Sequence, residues 1–245
     1  MATLKIGLYL ACFFYSQLIA ICELDQCIAP EIYKDAFYED IYQLCSKENI
    51  HTILEIGSSS GEGSTAAFAT GILKNPNRPI LYCLELSKPR FEKLQTHYKN
   101  HPLILPYNAS SIPLSSFPKE EEVVHFYLNT PTSLHSVPLS TVLQWLRQDK
   151  AYLNASSAPQ EGITWIQKKH GIEIFDMVLI DGSEFSGKAE LALIYGAKFI
   201  LLDDIRAFKN YDNYHKLLDD PNYQLLKENK TLRNGYAIFQ RIVNK

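Results

Sequence analysis

Apolar positions along this chain keep two alternating rhythms. Between Pro30 and Cys45 they fall at Ile32, Tyr33, Phe37, Ile41, Tyr42 and Leu44, a helical spacing that predicts an amphipathic helix lying over a sheet. His51 to Ile56 is then a short run with β-branched residues ending at Gly57, and Ser64 to Leu73 is predicted as a helix whose start lies in a glycine loop. Ile80-Leu-Tyr-Cys-Leu-Glu85 reads as a buried strand and Lys88 to Tyr98 as the next helix, so 51–85 forms a complete βαβ crossover. The alternation continues through strands at Leu103-Ile-Leu105, Asp176 to Ile180 and Lys198 to Leu202, with helices at Lys188 to Tyr195 and about 208–218. Fully apolar strands separated by helices imply a parallel sheet covered on both faces.

Two stretches depart from that rhythm. From about 112 to 160 an insert carries Pro113, Pro118, Pro131, Pro138 and Pro159, with a helical pattern only at Leu139 to Leu146; such an excursion is expected to act as a lid or specificity element. Near the C-terminus, Tyr223-Gln-Leu-Leu226 and Tyr236-Ala-Ile-Phe239 flank a loop containing Asn234-Gly235, the signature of an antiparallel hairpin. The expected architecture is α/β, a parallel sheet finished by that hairpin.

Composition changes the picture in few places. With 245 residues, 46% hydrophobic, the chain is long enough for one catalytic-size domain, expected over 28–245. A net charge of −3 and no basic run interleaved with aromatics argue against nucleic acid as a partner. The run Lys119-Glu-Glu-Glu122 is read as a solvated loop or helix start. Residues 6–22 lack any Asp, Glu, Lys or Arg and follow Lys5, so 1–22 is expected to be an export signal ending near Ala20-Ile-Cys22, or a membrane anchor; an ordinary buried helix in a cytoplasmic protein is the alternative. The five cysteines lack zinc-type spacing, and Cys27 and Cys45 are read either as a pair in an oxidising compartment or as reduced thiols.

Candidate chemistry concentrates in Ile53-Leu-Glu-Ile-Gly-Ser-Ser-Ser-Gly-Glu-Gly-Ser-Thr65, which satisfies three patterns. Gly57-Ser-Ser-Ser-Gly61 fits a G-x-S-x-G nucleophile elbow with Ser59 as nucleophile, and Asp181 and His215 follow in the order of a hydrolase triad. That fold, however, places several strands before its elbow, and here only one helix and the apolar start precede it. Gly61-Glu-Gly-Ser-Thr-Ala66 fits a dinucleotide turn, and Glu85, 22 residues after Gly63, suits ribose hydroxyls. Against it, Glu62 would set a negative charge beside a pyrophosphate. The third pattern, Glu55-x-Gly57-x-x-x-Gly61, is the loop by which methyltransferases hold S-adenosylmethionine, a ligand without a pyrophosphate that tolerates an acidic, small-residue loop. Glu85 can then accept two hydrogen bonds from the ribose diol.

Leu54-Glu-Ile-Gly-Ser-Ser-Ser-Gly61, Leu84-Glu-Leu86, Tyr107-Asn-Ala-Ser110, Phe175-Asp-Met-Val-Leu-Ile-Asp-Gly182 and Leu201-Leu-Asp-Asp204 together resemble class I S-adenosylmethionine-dependent methyltransferases, in their small O-methyltransferase-like branch. The resemblance spans about 50–240. It implies a Rossmann-like three-layer sandwich with a seven-stranded sheet ordered 3-2-1-4-5-7-6, strand seven antiparallel. It also implies S-adenosylmethionine as cofactor and methyl transfer to an unidentified, small-molecule acceptor. On the same resemblance Glu55, Gly57, Ser58 and Gly61 would hold the methionine portion, Glu85 the ribose, and Asn108, Ala109 and Ser110 the adenine edge. Asp181 and Asp204 are the candidate catalytic groups, converging at the ends of parallel strands with Asp203. In metal-dependent members, positions resembling these two hold a divalent ion with an Asn directly after the second acid; this chain has Ile205 there, with Asn210 as a possible substitute, and no metal site is assigned. His125 and His135 are read as structural. An NAD-type oxidoreductase and a catalytically inactive nucleoside-binding protein of the same fold are the alternative functions.

Overall fold

The computed structural model describes residues 24–242, so the apolar run at 6–22, and with it the expected export signal or anchor, lies outside the described residues. The strands are β1 (Thr52–Ile56), β2 (Ile80–Glu85), β3 (Ile104–Asn108), β4 (Met177–Ile180), β5 (Phe199–Asp203), β6 (Tyr223–Asn229) and β7 (Tyr236–Arg241). They form a single seven-stranded sheet in the order β3-β2-β1-β4-β5-β7-β6. β1 pairs in parallel with β2 and β4, setting Ile53 opposite Leu81 and Met177, while β7 runs antiparallel to both β5 and β6. The order and the antiparallel hairpin are those expected from the sequence.

Alternation along each strand divides its side chains between two helical layers. Ile53, Leu81, Met177, Leu179, Phe199 and Leu201 pack with α1 (Ala36–Lys47), α2 (Ser64–Lys74) and α3 (Lys88–His97). Leu54, Ile56, Leu84, Val178, Ile180 and Leu202 pack with α6 (Gly162–His170), α7 (Gly187–Ile194) and α8 (Tyr211–Asp219). Nearly all these strand residues are fully buried. At roughly 1.5–3 kcal/mol for each large aliphatic side chain removed from water, this burial drives assembly of the three layers.

The insert is more ordered than its sequence suggested. It contains α4 (Glu120–Asn129), begun by the acidic run, and α5 (Leu139–Ala155), nine residues longer than the apolar pattern at its start. Val123, Phe126, Val142 and Leu146 build a small separate core there, joined by Phe185 and Ala207 from the loops after β4 and β5. α6 was not anticipated, because it starts from Glu161 in a left-handed conformation with no side-chain cap to announce it. The helix expected from Pro30 begins instead at Ala36: Asp35 caps it by accepting from Tyr38 N–H (2.9 Å), and Pro30 and Ile32 line a cavity described below. Cys27 is exposed and unpaired, and Cys45 is buried against the Phe68 carbonyl, so these two do not bridge.

Candidate active site

Because β1 to β5 are parallel, their carboxyl ends meet along one edge, and there a cavity of about 440 Å³ opens between the loops. Its floor is the turn after β1. Gly57 adopts φ +89°, and a Cβ there would stand 2.1 Å from the Asp181 carbonyl oxygen, so only glycine lets this turn pass beneath β4. Gly57 and Ser58 N–H groups both donate to the Leu84 carbonyl, at 3.0 and 3.1 Å, tying the turn to β2. Ser59, itself at φ +48°, donates its N–H to Glu85 Oε2 at 2.8 Å.

Glu85 is therefore doubly placed. Its other oxygen accepts from Ser87 N–H at 2.7 Å, and the carboxyl lines the cavity at only 7% exposure. Burial pushes its pKa up, opposed by these backbone donors and by Arg90. Two N–H bonds leave lone pairs on both oxygens for a ligand diol. Opposite it, Ala109, Ser110 and Ser111 form the wall, with Ser110 N–H bonded to the Pro159 carbonyl (2.9 Å) from the end of the insert.

Three of the residues expected to touch a ligand do not line the cavity. Glu55 is wholly buried behind the turn, where its oxygens accept from the Ser64 and Thr65 hydroxyls at the start of α2, each at 2.7 Å. It braces the loop from the helix side. Gly61 packs on Leu94 and Tyr98 of α3, and Tyr98 OH donates to its carbonyl at 2.7 Å. Asn108 Nδ2 donates to the Glu85 and Leu86 carbonyls, both at 2.9 Å, and so fixes the chain leaving β2. Gly57, Ser58, Glu85, Ala109 and Ser110 do face the cavity.

At the other end stand Asp181 and Asp204, with Lys209 between them. Lys209 Nζ donates to Asp181 Oδ1 (2.8 Å) and Asp204 Oδ2 (2.7 Å), and its side chain is 7% exposed. The loop that carries it is clamped: Asn210 Nδ2 donates to the Ile180 and Asp203 carbonyls, at 3.0 and 2.7 Å. Gly187 lets the same loop approach, since a Cβ there would lie 2.0 Å from the Lys209 carbonyl oxygen. Burial alone would lower the Lys209 pKa, but Asp181, Asp204, Asp203 and Glu184 outweigh it and hold the ammonium well above its ordinary range. Burial, with Asp203 and Asp204 nearby, raises Asp181 well above the carboxylate range despite Lys209. Asp204 goes the other way: burial opposes its charge, yet Lys209 and Asn234 Nδ2, the latter at 3.0 Å, keep it below that range. Asp204 is thus held as a fixed counter-ion, while Asp181 is the acid of the pair that takes up a proton more readily.

Sequence reasoning missed Lys209, and also Asp149 and Glu184, which line the same end. Burial lifts Asp149 to about 6 and Glu184 to about 7, each against the pull of Lys209. It also missed the strap at 24–32. There Asp25 Oδ1 accepts from Ser87 Oγ (2.8 Å) and Tyr152 OH (2.5 Å), joining the β2–α3 turn to the insert across the cavity. A lysine five residues after an Asp-Asp strand end was the available signal, but its return to that end depends on Asp204 at φ +56°.

The hydrolase triad is not assembled: His215 is exposed on α8, bonded to the Tyr211 carbonyl at 2.8 Å, and does not line the cavity. His125 and His135 lie outside it as well.

No family model matches the chain, and no curated protein matches it by sequence. Solved structures do match. An O-methyltransferase from Bacillus cereus, in complex with SAH, superposes with a TM-score of 0.51 at 14% identity, covering 93% of this chain and 91% of that one. A methyltransferase from Geobacter sulfurreducens gives 0.50 at 12% identity, covering 98% and 96%. At such identities the likeness is one of fold, and the chain has the Rossmann-like methyltransferase fold.

Proposed function

We propose that this protein binds S-adenosylmethionine in the cavity and passes its methyl group to a hydroxyl of a small molecule. The observation that carries the reading is Glu85: a nearly buried carboxylate at the tip of β2, held by two backbone N–H groups and facing the cavity beside the Gly57 turn. Its two backbone donors leave lone pairs on both oxygens turned to the cavity, where a ligand's hydroxyls can donate to them. Glu85 would take the ribose hydroxyls, Gly57 and Ser58 the amino-acid portion, and Ala109 and Ser110 the base edge. Glu55, Gly61 and Asn108 shape that surface from behind. S-adenosylmethionine held by these residues would supply an electrophilic methyl group on a positively charged sulfur.

The chain's own residues handle the acceptor end. Asp181, ionised beside the Lys209 ammonium, takes the proton released by the acceptor hydroxyl, and Trp145, Asp149 and Tyr152 of α5 shape the wall against which the acceptor lies. The resemblance of the fold to an O-methyltransferase structure supports oxygen as the atom methylated. The dinucleotide reading fares worse, because Glu62 lines the cavity and Glu55 sits buried against the start of α2, where a pyrophosphate needs the helix's positive end unopposed.

Calorimetric titration with S-adenosylhomocysteine, NAD and ADP tests this. Selective binding of the first is expected, and tighter NAD binding would overturn the assignment. Turnover with an acceptor then separates an enzyme from an inactive nucleoside binder. For residues 6–22, export or membrane anchoring is proposed from their uncharged run after Lys5. A reporter fused to residues 1–28 that stays cytosolic and unprocessed would end that proposal.

A further inference from the structure

The side-chain oxygens of Asp181, Asp203 and Asp204 lie within 4.8 Å of one another, a set of the kind that holds a divalent ion. The residues present do not fit one. Lys209 Nζ already lies between Asp181 and Asp204 at hydrogen-bond distance from both, and its loop is pinned by Asn210 and by the close approach to Gly187. Asn210, the residue that could have completed a metal's shell, spends its amide donors on the Ile180 and Asp203 carbonyls, and its oxygen accepts from Asn213 Nδ2 at 2.8 Å. Asp203 Oδ1 is engaged by Arg233 at 3.1 Å.

The geometry points to Lys209 as a built-in replacement for a divalent cation, making the acceptor end of this site independent of metal. An ammonium has three donors, and two are used on Asp181 and Asp204. The third is available to an acceptor oxygen, because Lys209 lines the cavity. It would stabilise negative charge developing on that oxygen while the proton passes to the Asp181 carboxylate, so Lys209 keeps all its protons and no external ion enters the balance. A fixed ammonium also favours a hydroxyl acceptor over a protonated amine, which it repels.

This inference rests on the proposed methyl transfer for the role given to the ammonium. Its structural content is tested apart from activity, by titrating Mn²⁺ into the full chain and following the free ion by electron paramagnetic resonance. Wild type is expected to take up no Mn²⁺ at this site. Lys209→Ala, which removes the ammonium from among three acids, is expected to gain one saturable Mn²⁺ site that Lys209→Ala/Asp181→Asn loses. Mn²⁺ binding by wild type that Asp181→Asn abolishes would overturn the inference, as would a folded Lys209→Ala that binds none. Should Lys209→Ala fail to fold, the wild-type titration decides alone: no binding supports the inference and Asp181-dependent binding refutes it. S-adenosylhomocysteine affinity, measured on the same samples, separates the two ideas. Its absence in wild type would sink the cofactor reading and leave the Mn²⁺ result standing.

Discussion

Glu85→Gln separates a residue that binds ligand from one that merely supports the fold. The substitution keeps the shape but turns one acceptor oxygen into a donor and removes the charge. Toward a ribose diol it forfeits charge-assisted hydrogen bonds worth roughly 1.5–3 kcal/mol each. A loss near 3 kcal/mol raises the Kd for S-adenosylhomocysteine about a hundredfold. Toward the fold the change is smaller. One of the Ser59 and Ser87 N–H donors loses its partner, while the cost of holding a buried charge disappears. A net cost of about 1 kcal/mol would lower the apo Tm by roughly 2–4 °C. Glu55→Gln is the control, because that side chain lies behind the cavity wall, where the hydroxyls of Ser64 and Thr65 can either donate or accept. Its Kd should stay within about threefold of wild type by the same conversion. The assay is calorimetry paired with apo melting curves. An unchanged Kd in Glu85→Gln, or an equal loss in Glu55→Gln, would refute the division drawn between these two carboxylates.

Gly57→Ala should destabilise the apo protein by about 2–4 kcal/mol and eliminate ligand binding, since its Cβ collides with the Asp181 backbone just after β4 at φ +89°; Gly171→Ala, with open space around a positive φ, should cost no more than about 1 kcal/mol in urea unfolding. Asp149 predicts a pH signature: its folded pKa of about 6 exceeds the unfolded value, so its contribution to stability is intact below about pH 4 and lost as pH rises through 6. Asp149→Asn should therefore be more stable than wild type by on the order of 2–3 kcal/mol near pH 8 and equal to it near pH 3.5; an equal difference at both would exclude the assigned cause. Asp25→Ala, which frees the strap from Ser87 and Tyr152, should speed ligand dissociation about tenfold at an energy of one or two hydrogen bonds, as read by stopped-flow displacement.

The central strands were legible because they are apolar runs bounded by turn residues, their order was implied by the family resemblance, and the hairpin announced itself through Asn234-Gly235. Even the fate of Glu55 lay in the strand period. It shares the face of Ile53, which packs against the α1–α2 layer, whereas Glu85 closes its strand at the open edge. Lys209 was hidden for a different reason. Its spacing from Asp203-Asp204 does not by itself place it, and its position follows from the left-handed turn at Asp204, the Asn210 clamp and the missing side chain at Gly187, three positions brought together only by the finished fold. The strap is likewise tertiary, since Asp25 acquires its meaning from Tyr152, 127 residues away.

The insert's own small core has a consequence for how the protein opens. Val123, Phe126, Val142 and Leu146 bury their surface against one another and against Phe185 and Ala207, largely apart from the two cores that hold the sheet. Such a cluster can unfold locally at a lower free energy than the whole domain, as one cooperative unit. Phe185 adjoins Glu184, and Ala207 lies two residues from Lys209, so the unit that detaches takes with it the packing behind the charged end of the cavity. The wall formed at the ends of β2 and β3, which pair in parallel within the sheet, keeps its shape meanwhile. Hydrogen exchange should register two amide populations, a fast one over α4 and α5 and a slow one over the central strands, and substitutions such as Val142→Ala should accelerate the first alone.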